Sequence, residues 1–279
     1  MLGQGTIYPD TIESGGTPHA EVIKTHHNRV DRIHQLIAEQ RVLEPLSQFY
    51  KDEVRRLGHA LGIPDSVLRR HPFPGPGLAI RCLCAEKKLY PEPDEGIATL
   101  AAQSGYQAFL LPLHSVGVQG DMRTYGKLTV LYGAEIHHEV LAELTTRITN
   151  SFRHTNRVAV ALWPRQIDPG QWHIRRATLT PQRIHLLQDV DHIVTRFLHE
   201  QFLYDLIWQC PVVLLPLSRN GGETVALRPI SSVDGMTAEV VHIPVPQLAE
   251  IAHELAQVPG IDGVLFDISN KPPSTIEWE

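Results

Sequence analysis

The sequence has no apolar run approaching the roughly 18 residues that a membrane-spanning helix needs. Its opening Met1-Leu2-Gly3-Gln4-Gly5 has neither the basic start nor the apolar stretch of a secretory leader, so a cytoplasmic protein without a membrane partner is expected. Cysteine is scarce: three residues cannot build a disulfide framework, and Cys82 and Cys84, two apart in an apolar run, would share one face of a strand as reduced thiols. An excess of positive charge is also missing. The net charge of −6 excludes nucleic acid as a partner, because neutralising a phosphate backbone needs clustered Lys and Arg, though a local basic pocket for one small phosphate stays open. Histidine is abundant, with 16 residues, yet neither His26-His27 nor His137-His138 has the i, i+4 spacing of a helical metal site, and no structural metal is expected.

What is present is a globular chain of 279 residues, 42% hydrophobic, long enough for one large domain or two modest ones. Val42 to Gly62 reads as a strand-like turn followed by a helix, with Val54, Leu57 and Leu61 on one face and Gly62 and Pro64 as stops. Further on, strands are expected at 108–113, 116–131, 157–163, 211–217, 223–230 and 261–268, and helices near 138–150, 181–199 and 246–256. Thr180 before Pro181 marks a helix start, Leu187, Val190, Val194 and Phe197 form its apolar stripe, and Leu248, Ile251, Ala252 and Leu255 repeat the pattern in the last helix. This is an α+β pattern. A weak internal echo, Leu110-Leu111-Pro112-Leu113 against Leu214-Leu215-Pro216-Leu217, points to two similar lobes, with chance recurrence as the alternative.

The segment His71-Pro72-Phe73-Pro74-Gly75-Pro76-Gly77 fits neither helix nor central strand, because its prolines lack donors and restrict their predecessors. From Pro72 to Gly77 the only N–H donors are those of Phe73, Gly75 and Gly77. A rigid loop of small residues suits close approach of a phosphate or nucleotide, and an interdomain hinge equally well. A domain boundary is expected just after it, near Arg81 to Glu86.

The loop with its continuation Leu78-Ala79-Ile80-Arg81, preceded by Lys51-Asp52-Glu53-Val54-Arg55 and Leu61-Gly62-Ile63-Pro64, closely resembles the synthetase domain of GMP synthetases. Upstream, Gly3-Gln4-Gly5-Thr6-Ile7-Tyr8-Pro9-Asp10, Ile12-Glu13-Ser14 and Ile23-Lys24-Thr25-His26-His27-Asn28 extend the resemblance. Downstream it includes Val116-Gly117-Val118-Gln119-Gly120-Asp121 with Arg123-Thr124-Tyr125, and Lys271-Pro272-Pro273-Ser274-Thr275-Ile276-Glu277-Trp278-Glu279. The family activates xanthosine monophosphate (XMP) with ATP and displaces AMP by ammonia from a glutaminase domain.

The resemblance implies roles for these residues. Phe73, Pro74, Gly75, Pro76 and Gly77 would line a nucleotide pocket with Gln119, Lys271, Ile276 and Glu277; Lys271 would meet phosphate as a point charge and Glu277 would accept from base or sugar. Lys24, His26 and His27 match a mobile catalytic lid. Asp10 and Glu13, by spacing alone a surface capping pair, would help hold Mg2+. Arg123 and Arg228 fall in segments resembling a dimerisation domain, where an arginine either reaches the neighbouring subunit's nucleotide or serves as an ordinary interface residue.

The expected architecture is thus the C-terminal part of an α/β ATP-pyrophosphatase domain over residues 1–85, then an α+β dimerisation and nucleotide-binding domain over 86–279 with a large insertion at about 126–227. The Ser-Gly-Gly-Val-Asp-Ser pyrophosphate loop and the glutaminase domain of the family do not appear, so either an upstream polypeptide supplies them or the sequence is a piece that lacks them, and the chain alone is expected to be inactive. A homodimer is expected. The competing reading is a stand-alone nucleotide-binding or dimerisation module. The closing segment offers few apolar contacts beyond Ile276 and Trp278, so removing 271–279 is expected to cost affinity rather than fold.

Overall fold

The computed structural model describes residues 1–8, 10, 31–119, 122–133, 135–233 and 235–279, and the chain divides into two units, Met1–Arg70 and His71–Glu279.

In the first unit, β1 (Leu2–Gly3) pairs in parallel with β2 (Val42–Leu43), accompanied by α1 (Asp31–Ala38), α2 (Lys51–Ala60) and α3 (Asp65–Leu68). The Glu53 carboxylate accepts the Tyr50 N–H at 2.8 Å and satisfies a donor at the start of α2. Gly62, at φ +77°, takes the left-handed conformation that ends the run, as expected of a helix-stopping glycine. Only Thr6 and Gly58 are buried among the described residues of this unit, and Leu61 is 72% exposed. The apolar stripe read from the sequence therefore meets little buried apolar surface among the described residues.

The second unit begins with the proline–glycine loop and a 3-10 turn, Gly77–Arg81, so the division falls ahead of the loop. Then follow α4 (Glu95–Gln103), β3 (Gln107–Gln119), β4 (Met122–Tyr132), α5 (His138–Ser151) and β5 (Thr155–Trp163). After β6 (His173–Ile174) come α6 (Pro181–Glu200), β7 (Val212–Leu215), β8 (Leu217–Ser218) and β9 (Glu223–Leu227), then β10 (Ile230–Ser231), β11 (Glu239–Val240), α7 (Val245–Ala256) and β12 (Ile261–Asp267). The mixed helix and strand content agrees with the α+β class. The expected strand at 116–131 is instead two strands, with Gln119 opposite Met122 across an antiparallel hairpin, because Gly120-Asp121 is a two-residue hairpin signal.

One sheet organises this unit, in the order β3-β4-β5-β12-β9-β7. The succession helix, strand, antiparallel strand, helix, parallel strand occurs twice, as α4-β3-β4-α5-β5 and as α6-β7-β9-α7-β12, and the two meet where β5 pairs antiparallel with β12. The two Leu-Leu-Pro-Leu segments start at equivalent places, in the edge strands β3 and β7. Neither edge is bare: Glu92 bridges Leu110, Ser274 bridges Gly117, and Cys82 bridges Leu214.

Strand periodicity sorts side chains to two faces. On one, Leu110, Val158, Leu214, Val225 and Phe266 meet the helical stripes Leu141-Leu144-Ile148, Leu187-Val190-Val194 and Leu248-Ile251-Leu255. On the other, Phe109, Leu111, Val130 and Val213 are covered by Leu83, Trp172, Ile174 and Trp278. The stripes of α6 and α7 are those read from sequence, and Thr180 Oγ1 accepts the Arg183 N–H at 3.3 Å as the expected cap.

Asp262 fixes the loop between β8 and β9. Its Oδ2 accepts from Ser218 Oγ at 3.1 Å and from the N–H groups of Arg219, Asn220 and Gly222 at 2.8, 2.7 and 2.9 Å. Burial alone would raise this carboxyl, but the four donors hold it below its usual value. Because the folded-state value is depressed, its contribution is present above the unfolded value of about 3.9 and is lost as pH falls through the folded one. Replacing Asp262 with Asn keeps the shape but removes the charge, and should cost about 1–2 kcal/mol at neutral pH. Urea denaturation at pH 7 and pH 3 checks this, with the difference between wild type and variant shrinking at the lower pH.

Candidate functional site

The closing segment, Asn270 to Trp278, is held by two buried arginines. Arg157 on β5 and Arg228, just beyond β9, are both completely buried and both meet Asp267 Oδ2, at 2.6 and 3.0 Å. Charges removed from water persist only when paired and hydrogen-bonded, and the remaining donors show how this is met. Arg228 donates to Ser269 O at 2.7 Å, Ser274 Oγ at 2.8 Å, Ile276 O at 3.0 Å and Thr275 O at 3.1 Å. Arg157 donates to Ser115 Oγ at 3.2 Å, Thr275 O at 3.0 Å and Glu277 O at 3.3 Å, and its guanidinium lies 4.6 Å from the Trp278 ring. Burial pulls Arg157 down to about 10 against the opposing pull of Asp267. Burial would raise Asp267, yet Arg228, Arg157 and the Ser269 N–H keep it below the usual carboxylate range.

Held in this way, the segment presents Glu277 to the proline–glycine loop. Arg81, 3% exposed, donates from Nε and Nη2 to the two Glu277 oxygens at 3.2 and 3.1 Å, a forked pair that fixes the carboxylate plane. Gln209 adds a third donor at 2.9 Å. The Arg81 guanidinium also lies 4.8 Å from the Phe73 ring, and Asp191 on α6 stands 3.9 Å away. Burial raises the Asp191 carboxyl and Arg81 opposes that rise.

The loop itself turns at Gly77, whose φ of +67° needs a residue without Cβ and whose N–H bonds Pro74 O at 2.9 Å. Of the three N–H donors counted in the sequence, Gly77's is thus spent on the turn, leaving those of Phe73 and Gly75. The loop is anchored at its start: the Tyr204 ring is stacked between His71 and His199 at 3.8 and 3.9 Å, and His71 Nε2 lies 2.9 Å from Tyr204 O.

The other expected residues are distributed unevenly. Lys271 pairs through its backbone with Ala238, and its Nζ donates to Gly235 O at 2.5 Å. Ile276 contributes its carbonyl to Arg228 and is half-buried. Arg228 is enclosed, so its guanidinium grips the chain's own closing segment. Arg123 is exposed on β4 opposite Val118, whereas Gln119 ends β3 with its side chain outside the described residues. Asp10 Oδ2 accepts the Ile7 N–H at 2.9 Å. Glu13, Lys24, His26 and His27 lie outside the described residues. Among the described residues no group of three or more His, Cys, Asp or Glu could hold a metal ion, so a Mg2+ set built on Asp10 has no described completion.

Sequence reading missed Arg81, Gln209, Asp191 and Arg157. Arg81 stood in plain view at the end of the proline–glycine motif, and an arginine after an apolar helical turn is a detectable oddity. Arg157 carried no local signal, because its purpose depends on a carboxylate 110 residues away.

Residues 196–278 match the family described as GMP synthase C terminal domain. That segment is similar to GMP synthase C terminal domains. It contains Arg228, Gln209, Lys271, Ile276 and Glu277 together with the second helix–strand succession from β7 onward. Over its whole length the chain is 44% identical to a probable glutamine-hydrolysing GMP synthase of Leptospira interrogans, covering 47% of that relative. It is 34% identical to the probable GMP synthase of Caenorhabditis elegans, covering 48% of it, and 34% identical to the GMP synthase of Dictyostelium discoideum, of which it covers 46%. The chain spans about half the length of these curated relatives.

The buried Asp267 cluster gives a direct expectation. Asp267→Asn would leave two buried guanidinium groups without their counter-charge and should cost about 3–5 kcal/mol. Calorimetric melting should show the transition of the second unit falling on the order of 10 °C. A shift under 2 °C would show that the carboxylate is not what neutralises the pair.

Proposed function

We propose that this chain is the substrate-binding and dimerisation part of a glutamine-hydrolysing GMP synthase, a ligase of purine biosynthesis that aminates XMP to GMP at the expense of ATP. The observation that carries this is the Arg81–Glu277–Gln209 clamp, which ties the closing motif to the proline–glycine loop and fixes the plane of a carboxylate beside it. XMP would lie against Phe73, Pro74, Gly75, Pro76 and Gly77, with Glu277 accepting from base or sugar and Ile276 packing beside it. Lys271 would meet the phosphate, and Gln119 and Arg123 at the β3–β4 hairpin would add polar contacts.

Residues 1–85 read as the end of an ATP-pyrophosphatase domain. The exposed apolar side chains of the first unit, among them Leu43, Leu57, Leu61 and Val67, support this, since such a surface is normally covered by further strands or helices. ATP and Mg2+ would be handled in the whole enzyme by Lys24, His26, His27, Asp10 and Glu13 with an upstream polypeptide carrying the pyrophosphate loop and glutaminase. The twofold helix–strand succession supports two similar lobes within residues 86–279. Both sheet edges are bridged within the chain, so a homodimer would form through side-chain surfaces and not by edge-to-edge pairing. A cytoplasmic location follows from the reading as a purine-biosynthetic enzyme. Among the described residues, no helix is long and apolar enough to cross a membrane.

The C-terminal deletion considered from sequence is a poor test, because Trp278 is wholly buried and removing 271–279 would strip the carbonyl partners from Arg157 and Arg228. Glu277→Gln is the better probe. It removes one charge-assisted acceptor worth about 1.5–3 kcal/mol, so calorimetry with XMP should show affinity falling ten- to hundredfold. Unchanged XMP affinity in the variant, with the melting temperature preserved, would sink the assignment.

A further inference from the structure

On the helix-covered face of the sheet, away from Trp278, a cavity of about 400 Å³ opens between the start of α5, the end of β12 and β11. That volume lies in the range of small-molecule sites, which combine an apolar lining with a few convergent polar groups. The floor is Leu141, Phe266 and Ile268. The rim is polar: His138 and His242, whose rings stack 4.7 Å apart at 10°, with Glu239 and Asn270.

Each rim group has a defined hydrogen-bonding capacity. His138 Nε2 lies 2.8 Å from Ile243 O, an atom that only accepts, so this nitrogen carries the proton and Nδ1 of the neutral ring is an acceptor. Burial, ahead of the neighbouring His242, lowers the basicity of His138 and favours that neutral ring. Asn270 Oδ1 accepts the Val240 N–H at 3.1 Å, which turns its amide N–H₂ into the donor available to a ligand. Glu239 accepts. A metal ion is not supported, since no group of three or more ligating side chains exists among the described residues. An anion would face the Glu239 carboxylate. What matches an apolar floor, a flat imidazole wall and mixed donors and acceptors is a planar, uncharged heterocycle whose edge carries both kinds of group.

We propose that this cavity is a second binding site, for a nucleobase-like heterocycle of the purine or pyrimidine class. It is connected to the closing segment through Asn270: while the side chain lines the cavity, its backbone oxygen accepts from Ser274 N at 3.2 Å and Ser274 Oγ at 2.8 Å, and Ser274 Oγ in turn accepts from Arg228. An occupant gripping Asn270 would therefore bear on the segment carrying Lys271, Ile276 and Glu277.

The test is an NMR titration of the full chain with inosine, following the ring signals of His138 and His242, with indole as a flat control lacking the mixed edge. Saturable shifts of both rings by inosine and none by indole are expected, with affinity weakened at least tenfold in His242→Ala and in Glu239→Gln, both exposed positions. Glu277→Gln should leave these shifts unchanged, which separates this site from the nucleotide pocket proposed above. No shift at millimolar inosine, equal response to indole, persistence in both cavity variants, or loss in Glu277→Gln would each overturn the proposal.

Discussion

The structure depends on one carboxylate between two arginines. Asp267 sits at the end of β12, in the centre of the six-stranded sheet, and joins Arg157 of the first helix–strand succession to Arg228 of the second. Burying three charges is expensive, and apolar residues of the same volume would serve stability as well or better. What the cluster provides that apolar residues would not is directional: with Asp267 absorbing one donor from each guanidinium, others are free to point at the carbonyls of Thr275, Ile276 and Glu277. A segment with two prolines and no regular strand thus acquires a fixed course without a ladder of its own.

The two halves of the sheet solve a shared problem with different chemistry. Where the β3–β4 hairpin meets β5, Ser115 Oγ donates to Asn156 Oδ1 at 2.9 Å; where the β8–β9 loop meets β12, Ser218 Oγ donates to Asp262 Oδ2 at 3.1 Å. Each acceptor needs room beside it. A Cβ on Gly117 would come within 2.5 Å of Asn156 Nδ2, and one on Gly222 within 2.9 Å of Asp262 Cγ. The first half uses a neutral amide and carries a long hairpin, whereas the second uses a carboxylate to gather backbone donors into a tight turn. The parallel goes beyond a recurring Leu-Leu-Pro-Leu.

Most of the architecture was legible because helices and strands here follow their local periodicities. The stripe Leu187-Val190-Val194-Phe197 and the Thr180-Pro181 start described α6, and Leu248-Ile251-Ala252-Leu255 described α7. α4 escaped notice because Glu95-Gly-Ile-Ala-Thr-Leu-Ala-Ala-Gln is short and contains a glycine, and its cap, Asp94 accepting the Ile97 N–H, is a signal that only works beside a visible stripe. The candidate site was legible as motifs but not as contacts. Phe73 to Gly77, Lys271 and Glu277 were named from the resemblance, while the residues that hold Glu277, namely Arg81, Gln209 and Arg157, act across 68 to 196 positions of sequence that no local pattern can bridge.

This division between what is named and what holds it explains the apparent economy of the closing segment. The carbonyls of Thr275, Ile276 and Glu277 go to Arg157 and Arg228, its one large apolar side chain, Trp278, goes to the core, and its Glu277 carboxylate is steered by Arg81 and Gln209. Attachment therefore runs largely through main chain and tryptophan. The constraint works in the other direction too. Because Arg81 is buried and forked onto Glu277, it cannot turn to a ligand without abandoning that carboxylate in a half-buried place, a loss worth about 1–3 kcal/mol or more for a charged group. A group that engaged either partner of this pair would therefore have to replace the contact or add to it, so the two partners act as one unit.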